Sequence, residues 1–447
     1  MTTHILRTAP LKTVLFFAII LMVFVPLRAQ TRADNKLVEI LNTGDLFFLK
    51  EQYPRLSDSV SVSMLHLLSH AQLGIGFNRL EDASSALDSL LRYYQSELGP
   101  DNSLGLAALF AMNQLNMGRY AEGGSTGEKL VRQLRGKLSP AELSPYVFFE
   151  RVGTALASVP PPSLSRPAHD VRVPMKVEAA GGGVHFQIPV EVNGITKNFI
   201  FDTGCSFGNF VTEAYAKEVG LKILTDSVPV SGVSIGLVKL ATADSLRVGD
   251  ITYYHPVFMV APPDPQLDSV FTFNGVLGYH FIRDVKEVVI DNESHTFLFP
   301  HKISAGPSNM YISSNIPQIR VEVQGKPNVI TFDTGNVKST LAGLFIQQYP
   351  ELVSGLEKRT TFCGGFGGIK PREVYTLPEF SLRLFDQSVT LRQTDVDLSG
   401  GGFGSLGTDF VLAFKRLTIN YESMYVWSEG AGNLLPPAEN RSPSAQL

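Results

Sequence analysis

Cysteine is scarce in this sequence: Cys205 and Cys363 are the only two in 447 residues. Two thiols cannot staple a chain of this size, so a disulfide scaffold is excluded. Charge of one sign is scarce as well. The formal net charge is −4, too mild for an electrostatic footprint on nucleic acid, and no nucleic-acid partner is expected. Clusters with metal-ligand spacing are missing. His66 and His70, in "LHLLSH", share a helical face, but no acid or cysteine stands near them. They read as surface or packing residues, not as ligands.

The N-terminal apolar run, Val14 to Val25, has 12 residues, short of the roughly 20 that span a bilayer. Basic Arg7 and Lys12 precede or border it, and Pro26 and a small Ala29 come after it. That is the layout of a secretory signal peptide over residues 1–29, so the protein is expected to be exported to the periplasm or the extracellular space.

Composition divides the rest of the chain. Residues 34–158 carry apolar side chains at three-to-four spacing, as in "ALDSLLRYY", which predicts an all-α region. Two of its segments echo each other 42 residues apart: "AQLGIGFNRLEDA" from Ala71 and "NQLNMGRYAEG" from Asn113. Each reads as a helix end, a small-residue turn and a helix start, and resembles tetratricopeptide-type hairpins. Five prolines between 158 and 174 cannot continue a helix or enter a central strand. Residues 159–173 are therefore read as a linker. From 174 to 430 the chain is glycine-punctuated and β-branched, as strands are. The tail, 431–447, is polar and proline-rich and is expected to be disordered.

The β-rich part is written twice. "VEVNGITKNFIFDTG" (190–204) and "VEVQGKPNVITFDTG" (321–335) share eight of fifteen positions without a gap, at an offset of 131. "GYHFIRDVKEVVIDNES" (278–294) and "GTDFVLAFKRLTINYES" (407–423) share six of seventeen, at an offset of 129. A glycine-rich stretch lies between these landmarks in each half: "SGVSIG" (231–236) and "CGGFGGI" (363–369). Three landmarks in one order at a nearly constant offset imply two similar lobes, 174–301 and 302–430.

Each lobe then delivers one carboxylate from the end of a strand, Asp202 and Asp333. An Asp before a Gly is ordinarily a turn residue. Two related lobes packed face to face would bring these two together. Like charges a few ångströms apart do not both ionise, so such a pair holds one proton and offers an acid beside a base. "GFGSLG" (402–407) fits a dinucleotide-binding glycine pattern, but it lacks the surrounding βαβ unit and its Leu406-Gly407 already belongs to the lobe repeat.

These residues resemble the aspartic protease family, in its retropepsin-like form, over roughly residues 174–430. The resemblance implies an all-β bilobal domain with pseudo-twofold symmetry behind the helical domain. It implies Asp202 and Asp333 as the catalytic dyad. Thr203 and Thr334 would bond across the lobe interface, and Gly204 and Gly335 would let the backbone turn and present amides to the carboxylates. Val276-Leu277-Gly278 and Ser405-Leu406-Gly407 would cross behind the two loops. Gly232 and Gly236 in one lobe, and Gly364, Gly365, Gly367 and Gly368 in the other, would form flaps over an extended peptide.

The expected function is that of an endopeptidase, a hydrolase using an activated water with no cofactor and no metal. Its substrate is a polypeptide, one molecule suffices for a site, and the helical domain is free to bind a partner or to act as a pro-segment. Some positions depart from the family pattern. Cys205 and Asn336 come directly after the motifs where Ala, Ser or Thr is common, Val337 stands opposite Ser206, His280 replaces an Asp or Asn, and Ser405 is polar in an apolar place. These motivate an alternative, a weak or inactive peptide-binding scaffold with the same groove. Whether Cys205 and Cys363 pair is left open.

Overall fold

A computed structural model describes residues 31–265 and 273–431. The signal-peptide reading of 1–29 and all of the tail reading but residue 431 lie outside the described residues.

Seven α-helices come first among the described residues: α1 (Arg32–Thr43), α2 (Leu46–Leu56), α3 (Ser63–Gly76), α4 (Leu80–Tyr93), α5 (Gln95–Asn116), α6 (Tyr120–Leu134) and α7 (Pro140–Leu156). The starts of α1 and α7 are chemically marked. Thr31 caps α1 in a capping box with Asp34, and Ser139 caps α7 in one with Glu142, with Pro140 in the first turn. Asp34 is fully buried and accepts bonds from Ser61 and Val62 as well as Thr31, so it ties the start of α1 to the start of α3.

Successive helices pack closely where the side chains are smallest. A Cβ built on Gly74 of α3 would lie 2.8 Å from the Cβ of Ala83 on α4, and one on Gly153 of α7 would lie 2.3 Å from the backbone of Gly124 on α6. Glycine at these crossings is a matter of clearance; of the three, only Gly74 lies in a repeated turn segment. His66 and His70 both bond the hydroxyl of Tyr53, at 2.8 and 3.0 Å, which accounts for their shared face.

The proline-rich segment runs along sheet edges. Ser163–Ser165 pairs with Ile251–Tyr254, and Val171–Pro174 pairs with Thr296–Phe299. Both are edge strands in the described sheets, the positions that proline tolerates.

The β-region holds an 11-stranded sheet, an 8-stranded sheet and a 5-stranded sheet that draws strands from both halves of the repeat. The last contains Glu287–Asp291 and Phe414–Asn420, which pair antiparallel with Val288 opposite Ile419. These two strands come from the repeated segments at 278–294 and 407–423. Each segment folds as a short helix, Tyr279–Asp284 or Thr408–Leu412, and then that strand. Alternation sets the faces: in Ile316–Val323 every second residue is buried, from Pro317 to Val323.

Candidate active site

The strand Ile195–Phe201 ends at Asp202, and Lys326–Phe332 ends at Asp333. Each strand is held from behind by a short parallel neighbour. Gly275–Leu277 pairs with the first, with Leu277 opposite Phe201, and Gly404–Leu406 pairs with the second, with Leu406 opposite Phe332. The backbone N–H of Asp202 donates to Leu277 O (3.1 Å), and that of Asp333 to Leu406 O (3.0 Å). The two Leu-Gly segments thus fix where each acid leaves its sheet.

The threonines lock the loops to each other. Thr203 N–H donates to Thr334 Oγ1 (3.1 Å) and Thr334 N–H to Thr203 Oγ1 (3.0 Å). Each hydroxyl donates onward to the opposite strand, Thr203 to Phe332 O (2.9 Å) and Thr334 to Phe201 O (2.7 Å). Both side chains are completely buried. A buried hydroxyl that both accepts and donates serves two backbone groups, and its loss would strand both at once.

Gly204 and Gly335 have a different reason to be glycine than the freedom to turn. Neither has a positive φ. A Cβ on Gly204 would stand 2.3 Å from Asp333 Oδ1, and one on Gly335 would stand 2.5 Å from Asp202 Oδ1. Each carboxyl therefore rests on the glycine of the opposite loop, and no side chain fits between them. The amide role is present too: Gly204 N–H donates to Asp202 Oδ1 (2.7 Å) and Gly335 N–H to Asp333 Oδ1 (2.9 Å).

Asp202 lines the cleft, and both acids are half-buried. Burial pushes both carboxyls above the usual range, and Asp333 further, because Asp202 beside it repels a second charge. They titrate as a pair with a proton in common. That arrangement can remove a proton from water and supply one to a carbonyl oxygen in the same step.

The surroundings of Asp333 resolve two of the departures. Asn336 Nδ2 donates to Asp333 Oδ2 (2.9 Å) and to Ser405 Oγ (3.0 Å). An amide donor stands where a hydroxyl was missed, and the polar residue at 405 is its partner. His280 and Asp409 play one backbone-binding role in the two lobes. Gly208 N–H donates to His280 Nδ1 (3.0 Å), and Ser339 N–H donates to Asp409 Oδ1 (2.8 Å). Cys205 and Cys363 are both free thiols. Cys205 packs against Gly278, where a Cβ would lie 2.8 Å from its Sγ, and burial pushes its thiol well up, so it is not a poised nucleophile.

The flap glycines fall on two hairpins. Lys222–Ser231 pairs with Ile235–Thr242, with Gly232 in the turn and Gly236 on the returning strand opposite Val230. Arg359–Gly365 pairs with Gly368–Leu384 around the turn Phe366-Gly367. The tips touch: Val233 N–H donates to Phe366 O (2.8 Å), and the Phe366 ring stands edge-on to Phe210 at 5.0 Å. Glycine is required by that meeting at three points, and the tightest is Gly232, where a Cβ would be 2.4 Å from Phe366 O. A Cβ on Gly236 would be 2.7 Å from the Phe366 ring, and one on Gly367 would be 2.7 Å from Ser234 O. Gly364 and Gly365 lie on the strand before the turn. Both hairpins line the cleft of about 2060 Å³ that contains Asp202.

Sequence reasoning missed His185. It stands on the strand Gly183–Val192, lines the cleft, and places Nε2 3.1 Å from Gly335 O. Burial lowers its pKa, against the pull of the Gly335 carbonyl and Asp202. A signal existed: at the repeat offset its counterpart is the apolar Ile316, so one copy is polar where the other is not. The residues that α5 and α7 bring to the cleft had no such signal.

No curated protein sequence matches the chain. Among solved structures, a retropepsin-like aspartic protease from Rickettsia conorii is similar over 31% of this chain and 90% of its own, with 18% identity and a TM-score of 0.21. Conglutin gamma from lupine seeds is similar over 59% of this chain and 95% of its own (11% identity, TM-score 0.36). Basic 7S globulin from soybean is similar over 59% and 96% (8% identity, TM-score 0.35). A family model described as aspartyl protease matches residues 188–281, the span that carries Asp202-Thr203-Gly204, the first hairpin and Leu277-Gly278.

Proposed function

We propose that the protein is an aspartic endopeptidase, with Asp202 and Asp333 as its catalytic pair. The observation that carries this reading is the facing of two half-buried carboxyls, each seated on the other loop's glycine, and burial raises both so that the pair is suited to hold one proton. The ionised member takes a proton from a water between the two as the water oxygen bonds to the scissile carbonyl carbon. The protonated member gives its proton to the carbonyl oxygen. Collapse of the resulting gem-diol breaks the C–N bond, the nitrogen leaves with the proton drawn from water, and a diol hydroxyl reprotonates the second carboxyl. The hairpins around Gly232 and Gly367 act as flaps that exclude bulk water during this step.

In the same reading the two lobes are related by a pseudo-twofold, one chain makes a complete site, and residues 1–29 direct export out of the cytoplasm. Peptide-library digestion across pH, with and without a statine-type mimic of the transition state, tests the proposal. Cleavage that the mimic blocks and Asp333→Asn abolishes is expected. Stoichiometric capture of peptides with no turnover between about pH 3 and 8 would instead identify a peptide-binding scaffold.

A further inference from the structure

Peptide hydrolysis at the dyad assigns no work to the helical region, and its position asks for some. Helices α5 and α7 do not pack against the outside of the first lobe as a lid would. Phe149 and Val152 of α7 share one buried apolar cluster with Phe207, Val228, Val238 and Met259 of that lobe. Phe207 lies just beyond the Asp202 loop, and Val228 and Val238 lie on the two strands of the first hairpin. Stripping the helices away would open this core to water. On the outer side of the same hairpin, Arg151 of α7 donates to Ser227 O (2.6 Å).

A buried polar fastening points the same way. Asn116, at the end of α5, accepts at Oδ1 from His280 Nε2 (3.2 Å) and from Asn315 Nδ2 (2.9 Å), and donates to Asn315 Oδ1 (2.7 Å). All three side chains are buried. Asn315 Nδ2 also reaches Ser206 O (2.8 Å), behind the Asp202 loop. The ring orientation is forced. Nδ1 of His280 already accepts from Gly208 N–H, so the ring is neutral and its one proton sits on Nε2. This explains why histidine stands where the second lobe has Asp409. A carboxylate can accept from the loop amide, but the neutral imidazole can do so and also donate to Asn116.

The helices also reach into the cleft. Met112 of α5, and Pro145 and Phe148 of α7, line it together with Phe210 and Leu237 of the first lobe. Phe148 stands edge-on to Phe207 with ring centroids 5.2 Å apart. These groups make an apolar recess on the Asp202 side, built half from each domain.

Resting on the protease reading, we infer that the helical region is a permanent wall of the cleft and not a removable pro-segment, and that it completes a subsite for a large apolar side chain of the peptide. Segments presenting Phe, Leu or Tyr on the first-lobe side of the scissile bond are then preferred over those presenting Ala.

Two measurements on the full chain test the subsite, and a third tests the wall. The first is a peptide library varied among Ala, Leu and Phe at each position, digested by wild type, Met112→Ala and Pro145→Ala. Both side chains are only partly buried and line the cleft; Met112 also packs on the edge of the shared cluster, whereas Pro145 does not, so the two changes together separate subsite from core. Wild type is expected to prefer Phe and Leu over Ala at one position by about tenfold or more. Each variant is expected to lose most of that preference, through KM more than kcat. A preference unchanged in both variants overturns the subsite. The second is calorimetric binding of the Phe and Ala peptides to Asp333→Asn, which needs no turnover. Discrimination there that Met112→Ala abolishes supports the subsite even if wild type cuts nothing, in which case the protease reading alone has failed. Equal binding of both peptides overturns the subsite. In the third, a chain cut by an inserted processing sequence between residues 158 and 161 is expected to keep both parts associated through gel filtration. Separation of the parts into soluble, still active lobes overturns the permanent wall.

Discussion

Thr203 and Thr334, 131 residues apart, exchange backbone N–H donors for each other's hydroxyl oxygens at 3.1 and 3.0 Å. This reciprocal pair joins the two acid-bearing loops before any substrate arrives. Thr203→Ala removes an acceptor from Thr334 N–H and a donor from Phe332 O, leaving both groups buried. An unsatisfied buried group costs roughly 1–3 kcal/mol, so the expected destabilisation is about 2 kcal/mol or more. Thr203→Ser keeps the hydroxyl and is expected to lose less than half as much. Denaturant unfolding of both variants checks this, and equal losses would show that the methyl group, not the bond, matters.

The dyad predicts a pH dependence with a definite sign. Both carboxyls are raised in the folded state, so above the ordinary carboxyl range, near pH 4, the folded chain binds more protons than the unfolded one. Their contribution to stability is greatest below that range and falls as pH rises through the raised values. Asp333→Asn removes much of this slope. The variant is expected to be inactive, yet as stable as wild type at pH 4 and more stable at pH 7. Thermal melts at the two pH values decide it. A variant that loses stability at pH 7 would contradict the shared-proton arrangement.

His280 works in the opposite direction. Burial, helped by Arg283, holds its pKa well below the usual value. The unfolded chain therefore binds the extra proton below about pH 6.5, and stability falls as pH drops from there. His280→Gln is expected to be less stable than wild type at neutral pH, because the amide does not reproduce the fixed acceptor–donor geometry between Gly208 and Asn116. Its stability should also decline less between pH 7 and 5. Parallel pH profiles for the two proteins would rule out a neutral, buried imidazole.

Asn336 is a positioning residue for Asp333. Its amide donates to the outer carboxyl oxygen at 2.9 Å, which favours the ionised form. Asn336→Ala is expected to move the pH profile of kcat/KM to higher pH, with Ser405→Ala shifting it less and in the same direction. A change in rate with no shift of the profile would mean that the amide holds only the loop.

Gly335→Ala places a methyl about where the Asp202 carboxyl now sits, with 2.5 Å between them. The expected result is a loss of activity of at least about a hundredfold, with a stability cost of about 1–3 kcal/mol from overpacking. Gly194→Ala is the control for handling a loop glycine. It has a positive φ but nothing within 4 Å, and it should leave activity unchanged. Activity near wild type in Gly335→Ala would remove the close approach on which the dyad geometry rests.

Much of the site was legible because its parts are local. Gly204 N–H and Asp202 Oδ1 lie two residues apart, as do Gly335 and Asp333. A strand that ends in Asp-Thr-Gly builds its own carboxylate loop, and writing it twice with Leu-Gly downstream fixes the pairing of the halves. The two hairpins were legible from their glycines, and of the six named, Gly232, Gly236 and Gly367 are the ones that the meeting of the tips leaves no room to change. The helical region was legible as helices, from periodicity.

The hidden part of the site joins residues far apart in the chain. Asn336 and Ser405 looked like two separate departures and are bonded to each other across 69 residues. His280 looked like a lost acid and is the docking point for Asn116, 164 residues away. Gly204 and Gly335 could be assigned to turning, but their real constraint is the opposing carboxyl. By itself, then, the sequence determined that two similar loops each carry an acid, because backbone amides within a few residues define that loop wherever it folds. Only the tertiary structure decided what lies against each loop, because side chains from distant segments meet at positions that no local pattern encodes.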